Sequence, residues 1–88
     1  MTSESDLAWL LADEIVDQVP ADDRTAVYIE LGIGDDCQAI TRLLQLAVRE
    51  ELSLPAGLVS EVASWADIYA GNVDEPSIRD LLSRVQRR

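Results

Sequence analysis

The sequence predicts an all-α fold, a compact bundle of four to five short helices joined by short Gly and Pro turns. Three observations carry this. Apolar residues recur at spacings of three and four rather than two, which is the period of a helix and not of a strand. Breaker residues at Pro20, Gly32, Gly34, Pro55, Gly71 and Pro76 cut the chain into pieces of helical length. With 48% of its 88 residues apolar, the chain can bury one core despite its charge, so residues 1–88 are read as a single helical domain.

The first segment runs from about residue 4 to 19. Ser3 is its N-cap, Glu4 and Asp6 suit the positive end of the helix dipole, and Pro20 stops it. Its inward stripe is Leu7, Ala8, Leu11, Ile15 and Val19. The second segment, about 22 to 31, opens with Asp22 and Asp23, and Gly32 is placed to take the left-handed conformation that closes it. Gly32-Ile33-Gly34-Asp35 forms a tight link to the third segment, about 36 to 51, with Ile40, Leu43, Leu44, Ala47 and Val48 along one face. Leu54-Pro55 ends that run. The fourth segment, about 56 to 70, turns Leu58, Val62, Trp65, Ala66 and Tyr69 inward and terminates at Gly71. The fifth begins near Asp74-Glu75-Pro76 and presents Ile78, Leu81, Leu82 and Val85, with Arg84, Arg87 and Arg88 at its dipole's negative end. Leu46 and Ile68 fall off these stripes and are candidates for contact with another chain. No segment reads as a strand.

Composition removes several classes of function. The chain contains no His, which excludes imidazole metal centres and Ser-His or Cys-His catalysis. Its single Cys37 cannot close an internal disulfide, and no signal-type or membrane-spanning stretch of roughly 20 apolar residues occurs, so a cytoplasmic protein is expected. Cys37 reads as a small, half-buried residue, because Asp35 and Asp36 oppose the thiolate that a helix start favours. Asp35 and Asp36, with Glu30 nearby, lack the alternating spacing of a calcium loop and read as caps of the third helix. No phosphate cradle or nucleophile elbow is present, and no enzyme activity, metal or cofactor is expected.

Charge is the most informative quantity. Seventeen acidic residues against seven basic ones, all Arg, give −10. Ten carboxylates against Arg24 alone leave −9 in the first 36 residues, compared with −1 in the remaining 52. Such a field repels nucleic acid and anionic membranes and steers basic proteins toward the N-terminal part. On a helical wheel, Asp6, Asp13, Glu14 and Asp17 lie opposite the apolar stripe of the first segment, with Leu10 among them and Trp9 at their edge. Two readings of Trp9 and Leu10 stand at this point: an apolar anchor inside a charged rim, or core residues covered by a later helix. The candidate partner-binding set is Asp6, Trp9, Leu10, Asp13, Glu14, Asp17, Asp22, Asp23, Asp35 and Asp36.

Tyr28-Ile29-Glu30-Leu31-Gly32, then Gly34-Asp35, then Ala39-Ile40 and Leu43-Leu44, resembles two kinds of helical hairpin. One is the tetratricopeptide repeat, over about one hairpin and with no second copy at its period. The other is the group of small acidic helical immunity proteins of bacterial polymorphic-toxin and contact-inhibition systems, over residues 24–70. That resemblance rests on turn and packing residues, and it implies a protein that masks the basic cleft of a toxin or secreted effector. The alternative expectation is a homodimeric structural or regulatory module.

Overall fold

The computed structural model describes residues 3–68 and 75–88. The fold is all-α, with five helices and one two-residue strand pair among the described residues. Helix α1, Glu4–Ile15, starts on Ser3, whose hydroxyl accepts the Asp6 N–H at 3.1 Å, and runs into a 3-10 turn over Val16–Gln18. Helix α2 spans Ala21–Gly32, α3 Asp36–Arg49, α4 Ala56–Ile68 and α5 Glu75–Arg84. Pro20 therefore does two things: it ends the first helical run and is the N-cap residue of α2. Tyr69, Gly71 and Asp74, assigned above to a core position, a helix stop and a helix start, lie outside the described residues.

Two helix ends close by the same device. After α2, the Asp35 N–H reaches the Glu30 carbonyl (2.9 Å) and the Gly34 N–H reaches that of Leu31 (3.2 Å), with Gly34 at φ +79°. This is a Schellman closure, which needs one left-handed residue just past the helix. The sequence reading gave that position to Gly32; Gly32 is instead the last helical residue, and Gly34 makes the turn. After α3 the pattern recurs, Leu52 N–H to Ala47 (2.8 Å) and Glu51 N–H to Val48 (3.2 Å), but the left-handed residue is Glu51, at φ 55°.

The expectation of no strand is corrected. Ser53–Leu54 (β1) pairs in parallel with Gln86–Arg87 (β2), in register Ser53 with Gln86 and Leu54 with Arg87. The ladder continues as backbone bonds from Arg88 N–H to Leu54 (3.0 Å) and from Ala56 N–H to Arg88 (3.2 Å), so the chain's last residue takes one of the free donors at the start of α4. Two residues per strand are too few for a period of two to register in the sequence. Helix packing brings these segments together.

The helices alternate in sense. Arg49 meets Asp23 and Arg42 meets Glu30, which sets α2 antiparallel to α3. The Trp65 indole N–H donates to Glu4 at 2.8 Å near one end of α1, while Arg88, bound to the link before α4, meets Glu14 near the other. Helix α3 is central, packed against α1, α2 and α5, with α1 also touching α4. Ile40, Leu43, Leu44 and Ala47 are buried as the stripe predicts, and so are Ala39 and Leu46 beside it. Leu46 is thus a core residue and not a contact for another chain, because α3 is covered on more than one side. On α4 the buried arc is turned toward Val59, and Leu58 is only half-buried. Glu30 is the one buried charged residue among those described, and Arg42 holds it across the α2–α3 contact. Among the described residues no helix is long and apolar enough to cross a membrane.

Left-handed backbone costs a residue with a Cβ roughly 1–2 kcal/mol, which glycine largely avoids while losing some chain entropy. Glu51→Gly is therefore expected to raise unfolding free energy by about 0.5–1 kcal/mol in urea titration, and the β-branched Glu51→Val to lower it.

Candidate binding surface

Burial of Leu7, Leu11 and Ile15 determines which residues of α1 face outward. Opposite that stripe stand Asp6 and Asp13, with Trp9 on one flank and Leu10 on the other. Trp9 is 45% and Leu10 46% exposed, so neither is a core residue, although the Tyr28 ring of α2 lies beside Trp9. Asp6 and Asp13 lie three residues before and four after Trp9, which puts one carboxylate a turn to each side of the indole.

The surface continues onto α2. The rings of Trp9 and Tyr28 lie with centroids 6.3 Å apart and planes inclined at 38°, a tilted aromatic pair bridging the two antiparallel helices. Farther around α2, Ile29 is exposed, and so, at 73%, is Ile33 just past the helix end. The candidate set omitted Tyr28, Ile29 and Ile33. Their signal was present: Ile29 and Ile33 are four apart and off the side that buries Val27 and Leu31. The weak amphipathicity of α2 concealed it.

The eight carboxylates among the ten candidate residues divide three ways. Asp6, Asp13, Asp17 and Asp22 are exposed, and among the described residues no cation pairs with them. Glu14 and Asp23 are different. Arg88 Nη2 lies 2.6 Å from Glu14 and Arg49 Nη2 lies 2.7 Å from Asp23, so these two early carboxylates are matched by arginines from later in the chain. The spread of negative charge over the N-terminal part is to that extent narrower than sequence order implied. Asp35 and Asp36 belong to the start of α3: Asp35 accepts the Gln38 N–H at 3.4 Å, and Asp36 occupies the first turn.

Asp36 is half-buried, and its carboxyl is pushed above the ordinary carboxylate range, first by desolvation and then by the charges of Glu4 and Asp35. Cys37 beside it is half-buried. Among the described residues no group of three or more carboxylate or thiol side chains gathers to hold a metal ion. Ile68 is 66% exposed on α4.

Comparison of this chain with protein-family models, with curated proteins and with solved structures finds no match.

An acid whose pKa is raised on folding adds stability that is complete below its unfolded value and lost as pH rises through the folded one. Asp36→Asn should accordingly gain stability relative to the parent as pH rises from below the ordinary Asp value of 3.8 to neutrality. Added salt should reduce only the part due to Glu4 and Asp35. A constant difference across that range, in thermal melts at several pH values, would refute the assignment.

Proposed function

We propose that this chain is a protein-binding module that holds and neutralises a basic partner through the α1–α2 face, as an immunity or inhibitor protein does for a bacterial toxin or secreted effector. The observation that carries the reading is the half-exposed pair Trp9 and Leu10 beside Asp6 and Asp13 on α1, with exposed Asp17 and Asp22 following in the chain, none of these carboxylates in an ion pair among the described residues. Apolar anchors supply most of the affinity of a protein interface, and charges around them set encounter rate and choice of partner. A surface rich in unmatched carboxylates selects for cationic proteins and against nucleic acid or anionic lipid. The reading is non-catalytic and cytoplasmic, requires no cofactor, and agrees with the hairpin resemblance over residues 24–70.

A second reading, a homodimeric structural or regulatory module, is favoured by exposed Ile29 on α2, Ile33 at its C-terminal end and Ile68 on α4. Sedimentation separates the two. A dimer doubles the mass and makes the melting temperature depend on concentration, whereas a masking protein is a monomer until it meets its target.

The test takes the product of the gene adjacent to this chain's, where the target of an immunity protein is ordinarily encoded, and titrates it calorimetrically. Affinity should fall at least severalfold between about 50 mM and about 300 mM salt. Asp13→Asn combined with Asp17→Asn should weaken binding and flatten that dependence. Binding with the same affinity and salt response in the double variant would exclude the acidic face as the docking surface.

A further inference from the structure

The α1–α2 face contains one place where aromatic and anionic groups converge. Trp9 and Tyr28 are both about half exposed, their rings tilted at 38°, with Asp6 and Asp13 a helical turn to either side of Trp9. We propose that this convergence seats an arginine side chain presented by a basic protein partner, an inference that rests on the protein-binding reading above and names the chemistry it recognises.

Charge and ring chemistry together choose the occupant. An indole face attracts a cation through its quadrupole, Trp most strongly of the aromatic residues. A planar guanidinium stacks on such a ring while its edge donates to carboxylates on both sides, which an ammonium does less well. No cation of this chain lies over either ring among the described residues. Arg24, one turn before Tyr28 on α2, is half-buried and makes no ion pair among the described residues. It is the only cation of the first 36 residues, so the local balance stays negative. A second copy of this chain is a poor occupant, because it would bring Asp6, Asp13, Asp17 and Asp22 of each copy together on a protein of charge −10.

The experiment follows the two indole N–H signals of the full chain by nitrogen–proton correlation NMR while a short amidated peptide of alternating arginine and glycine is added at low salt. Peptides with lysine or with neutral citrulline in place of arginine are the comparisons. The Trp9 signal should move, while that of Trp65, hydrogen-bonded to Glu4, stays. The arginine peptide should bind about threefold or more tightly than the lysine peptide, and the citrulline peptide not measurably. Trp9→Ala should weaken arginine-peptide binding about tenfold, while Trp9→Phe, which keeps a ring face, retains most of it. Equal binding of arginine and lysine peptides, unaffected by Trp9→Ala but reduced by Asp6→Asn with Asp13→Asn, would overturn the arginine seat and leave the acidic-face reading intact. A Trp9 signal that does not move with the arginine peptide also overturns the seat, and titration with the encoded neighbour then judges the broader reading separately.

Discussion

Burial of the α1 stripe against α3 is the contact on which the rest of the molecule depends. Leu7, Ala8, Leu11, Ala12 and Ile15 all lose their solvent, and full burial of a large aliphatic side chain is worth about 1.5–3 kcal/mol. No rotation of α1 about its axis keeps that stripe inside while hiding Asp6 and Asp13. The outward residues are therefore dictated by the inward ones. Trp9 and Leu10, at the borders of the stripe, are the positions that a neighbouring helix could have covered, and the placement of α2 and α4 leaves both partly open.

The ion pairs follow a consistent plan. Glu30 with Arg42 and Asp23 with Arg49 join α2 to α3, Asp67 with Arg79 joins α4 to α5, and Glu14 with Arg88 ties α1 to the last residue of the chain. Apart from Glu30 with Arg42, which is partly buried, these are exposed pairs that add at most about 1 kcal/mol each, so their larger effect is on where charge remains. Most of the few cations are committed to joining helices. Of the ten carboxylates among the first 36 residues, Glu14, Asp23 and Glu30 are paired with arginines from later in the chain, while Asp6, Asp13, Asp17 and Asp22 are exposed without an ion pair among the described residues.

How much could be read from residues alone differs by element. Helix α3 was legible because its stripe is long and regular, and α1 because Ser3 and Pro20 bracket it. The second buried side of α3, with Ala39 and Leu46, was not, since it depends on the number of helices that surround α3 and not on α3 itself. Gly34 and Glu51 show the same asymmetry: a glycine near a helix end signals a left-handed turn, whereas a glutamate forced into one gives no local sign. The β1–β2 pair, Glu14 with Arg88 and Trp9 with Tyr28 are contacts between distant residues that no spacing rule encodes. For the candidate surface, the α1 residues could be read on a wheel, and the α2 residues that extend it could be assigned only once the helices were packed.

Trp9 is exposed with carboxylates a turn to either side and Trp65 is shut inside the bundle, a contrast that collisional quenching reads directly. With caesium and iodide at matched concentration and ionic strength, and each quenching constant divided by that of free N-acetyltryptophanamide with the same ion, the accessible one of the two tryptophans should be quenched more readily by caesium than by iodide, and the other should resist both. Equal normalised quenching by the two ions, or stronger normalised quenching by iodide, would show that the field around Trp9 is not negative and would contradict this picture.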